Sequence, residues 1–208
     1  MKLALFGASG GVGRRVGLQA AAHGHTVRAL VRQPEQAERL RQAGLEAVVG
    51  DLLGDWEGVL DGTDAVIWAA GAGAGGNYEA IDRDALIRVT DTLKTRGLRR
   101  FIVVSSLAVD RPEQMPPFLA AVLRVKAVSD AHIQSSGLDW TIVRPGGLTD
   151  AAGTGRIRVA KTLLSGMISR DDVAGVVLAC LEQPSTIRQT FEVVAGEQDI
   201  GEALASLG

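Results

Sequence analysis

The sequence predicts an α/β fold: a doubly wound parallel sheet with helices on both faces and a minimal C-terminal lobe. Three observations predict it. The chain begins with an apolar strand, a glycine-rich turn and a helix. Strand-like and helical patterns then alternate through most of the 208 residues. The strand runs are apolar at consecutive positions, as in a sheet covered on both faces.

The first strand is Lys2-Leu3-Ala4-Leu5-Phe6, followed by the turn Gly7-Ala8-Ser9-Gly10-Gly11-Val12-Gly13 and a helix through Ala22. Gly7 permits a tight turn, Gly10 lets the backbone approach a pyrophosphate, and Gly13 lets the helix pack close to the strand. The helix then points its leading amides at the phosphates. A second strand, Thr26 to Val31, completes a βαβ unit of about 30 residues, the context that a dinucleotide fingerprint requires.

Pro34 to Ala43 reads as a helix, with Pro34 in its first turn and Gly44 as its stop. Glu46 to Val49 is a short strand and Trp56 to Leu60 a short helix. Ala65 to Ala69 is a strand that ends in a glycine-rich loop through Gly76. A long helix is expected over Tyr78 to Arg96, stopped at Gly97. Arg100 to Val104 is a strand, Phe118 to Ser136 a helix, and Trp140 to Arg144 the next strand, stopped by Pro145-Gly146-Gly147. The tail holds a small strand at Arg156 to Val159 and a helix from Ser169 to Glu182. Ser169 caps that helix, and Asp171 and Asp172 suit its first-turn dipole. A strand at Arg188 to Val194 and a helix at Ile200 to Leu207 follow.

Composition narrows the function classes. The length suits one domain, residues 1–208, with a small substrate lobe from about 146–168 and 184–208. After the sixth strand only about 60 residues remain, too few for a large enclosing domain. The net charge of −2 argues against nucleic acid as a partner. No charged segment precedes an apolar one at the start, and no run reaches the roughly 18 apolar residues of a membrane span. A cytoplasmic protein is expected, as a monomer or a homodimer. The one cysteine, Cys180, reads as a small buried residue. No His/Cys/Asp/Glu grouping has metal-ligand spacing. Trp56, Trp68 and Trp140 read as packing residues, His23 and His25 as turn residues, and His132 as a surface or supporting histidine.

In a doubly wound sheet, ligands lie outside the carboxyl ends of the strands. That rule nominates Gly7, Ser9, Gly10, Gly11, Val12 and Gly13 after the first strand. It adds Arg32, Asp51 and Leu52, then Ala69, Ala70 and Gly71, then Ser105, Ser106 and Pro145. An NAD site places an acid at the end of the second strand to bind the ribose 2′-hydroxyl. Here the strand runs Val31-Arg32-Gln33, and a guanidinium suits a 2′-phosphate. Arg32 therefore points to NADP (NADPH) over NAD, with Arg14 or Arg15 able to add charge. Asp51 serves either the adenine end of the ligand or the cap of the following turn.

These residues carry a family resemblance. The matching segments are Gly7 to Arg14, Gly50-Asp51-Leu52, Val103 to Ser106, Lys126, Ser136 to Gly146, and Ser169-Arg170-Asp171-Asp172-Val173-Ala174. They span nearly the whole chain, which resembles the short-chain dehydrogenase/reductase superfamily. Within it the chain is similar to the atypical NAD(P)H-binding branch, with biliverdin reductase B-like flavin reductases and NADP-sensing regulators. The resemblance implies a Rossmann fold, the active-site hydroxyl position for Ser106, and a catalytic-site, ribose-holding position for Lys126.

One departure matters. The superfamily's catalytic tyrosine stands one helical turn before the lysine, and here that position is Val122. The only tyrosine is Tyr78, on a different helix. Without the phenol, proton exchange with an alcohol loses its usual donor. A flavin, quinone or similar conjugated acceptor needs a stacking surface more than a dedicated acid. The expected function is thus an NADP(H)-dependent oxidoreductase acting on such a small molecule. The alternative is a non-catalytic NADP(H) sensor that binds a protein partner. Phe118-Leu119-Ala120-Ala121-Val122-Leu123, apolar nearly all round, needs cover on several sides and fits either reading.

Overall fold

The computed structural model describes residues 1–207. Eleven strands and six α-helices follow one another in chain order. They are β1 (Lys2–Phe6), α1 (Gly11–Ala22), β2 (Thr26–Val31), α2 (Pro34–Gln42), β3 (Glu46–Val49), β4 (Ala65–Trp68), α3 (Leu86–Arg96), β5 (Arg100–Val104) and α4 (Pro117–Ser135). The second part holds β6 (Asp139–Pro145), β7 (Gly147–Thr149), β8 (Arg156–Ala160), β9 (Met167–Ser169), α5 (Arg170–Glu182), β10 (Gln189–Ala195), β11 (Gln198–Asp199) and α6 (Ile200–Ala205).

The main sheet has the order β11-β8-β10-β6-β5-β4-β1-β2-β3. Every pairing from β3 across to β10 is parallel. Only β8 runs against the others, pairing antiparallel with β10 on one side and with β11 at the far edge. The order reverses at β1, which pairs with β2 on one side and β4 on the other. That reversal opens a crevice beyond the carboxyl ends of β1 and β4, where ligands bind in this architecture.

Side chains alternate between the two faces. Leu3 and Leu5 join one core with α1, α2, α5 and α6 through residues such as Val16, Leu40, Val177 and Leu204. Ala4 and Phe6 join the other, with Trp56, Trp68, Val89 and Ile133. All three tryptophans and Cys180 are buried, and burial pushes the Cys180 thiol up to about 12. A third, smaller core joins Leu107 to Val109, Leu123, Leu163 and Val194. No helix among the described residues is long and apolar enough to cross a membrane, and no cluster among them has metal-ligand geometry.

Differences from the expected elements are local. The helix expected from Tyr78 begins instead as a π-helical segment, Glu79–Ala85, before α3. A small parallel ladder, β7 with β9, stands apart from the main sheet, and its three-residue strands are too short to announce it. The strand expected from Arg188 begins at Gln189, because Arg188 adopts φ 58. Phe118, expected to need cover, is 78% exposed.

Candidate functional site

The glycine turn brings β1, α1 and β4 within backbone contact. Gly7 has φ +89, and a β-carbon there would stand 2.5 Å from the Ala69–Ala70 peptide. Gly13 packs so closely on the Gly7 carbonyl that no side chain fits between them. The turn is closed by Gly10 N donating to Gly7 O at 2.9 Å. Gly10 caps α1 without a side-chain hydrogen bond, and the first turn carries no acid. The leading amides of α1 therefore have no side-chain cap, the arrangement that binds phosphates.

A groove of about 480 Å³ runs from this turn across the crevice, within the usual range of small-molecule sites. Gly7, Ser9 and Gly10 line it beside Ala69, Ala70 and Gly71 of the adjacent strand end. Arg32, Asp51 and Leu52 close the end beneath β2 and β3. Gly11, Val12 and Gly13 stand in the first turn of α1, with the Val12 side chain in the core.

The Arg32 end is shaped by backbone bonds. Gln36 Oε1 accepts from the amides of Arg32 at 3.2 Å and Gln33 at 3.3 Å. This turns the chain sharply into α2 and leaves the Arg32 side chain exposed at the rim. Asp51 Oδ1 accepts from Leu53 N at 2.9 Å, so its carboxylate holds the loop that forms this end. Arg15 is committed elsewhere, to Asp171 at 2.9 Å and Asp150 at 3.2 Å.

Seven nominated residues lie outside the groove lining: Gly11, Val12 and Gly13 in α1, and Ser105, Ser106, Lys126 and Pro145 on β5, α4 and β6 or the loops after them. Lys126 on α4 is paired with Asp82 at 2.7 Å, and Asp82 is only 2% exposed. The other Asp82 oxygen accepts from Ala72 N at 2.9 Å in the glycine-rich loop. Ser105 is buried, and its hydroxyl donates to Asp130 Oδ2 at 3.1 Å. Arg144 holds the same oxygen from Nε and Nη2, at 3.0 and 2.9 Å. Burial raises the Asp130 carboxyl, with Arg144 and Ser105 opposing. Ser106 is half-buried and donates weakly to Leu107 O at 3.4 Å. Pro145 is buried at the end of β6, where its carbonyl accepts from Leu107 N at 2.9 Å. Val122 stands one turn before Lys126 on α4, half-buried.

A glycine cradle at the sheet's reversal point, with helix amides facing it, fits a dinucleotide diphosphate. The profile of the NAD(P)H-binding family matches residues 7–184. The chain belongs to that family. It fits the atypical branch of the short-chain dehydrogenases/reductases. A Bacillus subtilis relative, the uncharacterized sugar epimerase YhfK, is 38% identical over the full length of both chains. A Bacillus halodurans structure, provisionally assigned as an NAD-dependent epimerase/dehydratase, superposes with TM-score 0.94 at 34% identity over 99% of each chain. ChuY, an anaerobillin reductase of Escherichia coli O157:H7, superposes with TM-score 0.80 at 27% identity, covering 96% of this chain and 99% of ChuY.

This NAD(P)H-binding oxidoreductase fold uses residues that pattern reading passes over. Gln36 lines the groove and shapes the Arg32 turn. Its signal is the capping-box spacing Gln33-x-x-Gln36 at a helix start. Asn77 and Ile81 also line the groove. Asp82 has no sequence signal, since an acid inside a helical pattern reads as a solvated face and its lysine partner is remote in sequence.

Proposed function

We propose that the protein is an NADPH-dependent reductase of a flat conjugated acceptor such as a flavin or quinone. The observation that carries this reading is the pairing of a formed dinucleotide groove with Val122 and Lys126. The cradle holds the cofactor, yet the lysine stands beside an aliphatic side chain where a phenol would serve alcohol chemistry. Arg32, exposed at the groove rim, supports NADPH over NADH by offering a guanidinium to the 2′-phosphate. Bound NADPH supplies the hydride. The chain's residues would bind the diphosphate at the α1 amides, hold the cofactor along the groove and leave protons to solvent. Likeness to ChuY, an anaerobillin reductase, supports a reductase reading.

The test is steady NADPH oxidation with FMN or a quinone as acceptor, lost in Gly10→Glu, which fills the diphosphate cradle. Tight NADPH binding without turnover across an acceptor panel would reject the reading. It would favour the second one, a non-catalytic NADP(H) sensor with a protein partner. Exposed apolar residues motivate that alternative: Phe118 at 78% and Leu164 at 97%. It requires partner association that changes with NADP(H).

A further inference from the structure

Arg170 opens α5, and its side chain reaches across the start of α1. A β-carbon at Gly11 would stand 2.8 Å from Arg170 Cδ and Nε, and 3.8 Å from Cζ. Glycine at position 11 leaves room for this arm. The guanidinium is held by one ion pair, Nη1 to Asp150 Oδ1 at 3.0 Å, and the Asp150 side chain is 74% exposed. Asp150 also serves Arg15, which keeps separate anchors on Asp171 and on the Gly11 carbonyl.

The scaffold fixes both members of the pair. Ser169 Oγ accepts from Asp172 N at 2.9 Å and so sets where Arg170 leaves the helix. Buried Asp172 accepts from the amides of Thr154 at 2.9 Å and Gly155 at 2.7 Å. These bonds pin the loop carrying Asp150 against the same helix end. A cation at the amino end of α1 opposes that helix's dipole, and α1 has no acid in its first turn to compensate. A pair whose carboxylate is as exposed as Asp150 contributes little. An anion at the α1 amides satisfies both groups, taking the amides from one side and the guanidinium from the other.

We infer that Arg170 is a diphosphate-binding residue, exchanging Asp150 for the pyrophosphate that NADPH and NADH share. Asp150 is the competing carboxylate. The inference rests on the dinucleotide reading above and separates from the role of Arg32, which stands at the other end of the groove and concerns the 2′-phosphate alone.

Calorimetric titration of the full chain with NADPH and with NADH tests it. Arg170→Gln weakens both dinucleotides by the same factor, about tenfold for a lost charged hydrogen bond. Asp150→Asn tightens both by about two- to threefold, a gain that no folding defect imitates. Affinities unchanged in Arg170→Gln, or a loss confined to NADPH, would overturn the assignment. Unchanged affinity in Asp150→Asn would overturn the exchange. A wild-type chain that binds neither dinucleotide removes the underlying reading, and this one with it.

Discussion

Arg32 shows how far one side chain carries a cofactor preference. Its place follows from counting strands: the residue just after β2 faces the adenosine ribose of a dinucleotide in this architecture. The structure puts its side chain at the groove rim with its amide held by Gln36. On the proposed reading, Arg32→Asp weakens NADPH by about 1.5–3 kcal/mol while NADH changes far less. Parallel titrations measure this, and equal losses would show that the guanidinium does not touch the 2′-phosphate. Arg170 carries no sequence signal for a binding role, because nothing in sequence spacing says that a residue so distant from Gly11 lies against it. The glycine turn was legible for the opposite reason, since its constraints are local to one strand, turn and helix.

At the scale of elements, the segment between the glycine-rich loop and α3 carries the main surprise. Seven residues, Glu79–Ala85, wind as a π-helix, a form that concentrates at functional sites. The wider turn holds Asp82 inward, where it meets Lys126 of α4 and Ala72 of the loop. Periodicity predicted one continuous helix here, because 3.6-residue spacing continues on either side of a local widening. The strands of the parallel sheet were legible from their apolar runs. The three-residue strands β7 and β9 were not, since they are too short to announce their pairing. Asp82→Leu leaves the Lys126 ammonium without its partner and costs about 3 kcal/mol of stability. Adding Lys126→Met recovers most of that loss. Chemical denaturation of both single variants and the double variant measures the coupling. Simple additivity would mean that the pair contributes nothing to folding.

For the molecule as a whole, one buried acid ties the loops that follow β5 and β8 to the sheet. Glu192 on β10 is fully buried and accepts from Ala108 N at 2.9 Å, Leu163 N at 2.6 Å and Arg111 Nη2 at 2.7 Å. Burial pushes its carboxyl up, but Arg111 and the two amides outweigh this and hold it below its ordinary value of 4.5. A depressed carboxyl contributes stability above its unfolded value and loses it as pH falls through the folded one. Glu192→Gln therefore lowers the melting temperature at neutral pH, by an amount equivalent to about 3 kcal/mol. The gap to wild type narrows as pH drops below about 4.5. Melting curves from pH 7 to 3 measure this, and a constant gap would mean that the bonds to Glu192 do not depend on its charge. The direction for Asp130 is opposite, since burial raises it. Comparison of the two Glu192 forms isolates the acid that ties those loops to the sheet.

Trp68 ends β4 one residue before the groove wall at Ala69, and Trp56 stacks edge-on against Phe6 at 5.6 Å between ring centroids. Phe6 itself lies 5.5 Å from Trp68, so two indoles flank one ring beneath the glycine turn. Reduced nicotinamide absorbs the light that tryptophan emits. The packing that closes the core thereby places two optical donors under the cradle. Excitation of the indoles would pass to a bound reduced cofactor and not to an oxidised one, so the protein carries its own unlabelled reporter of the redox state of what it holds.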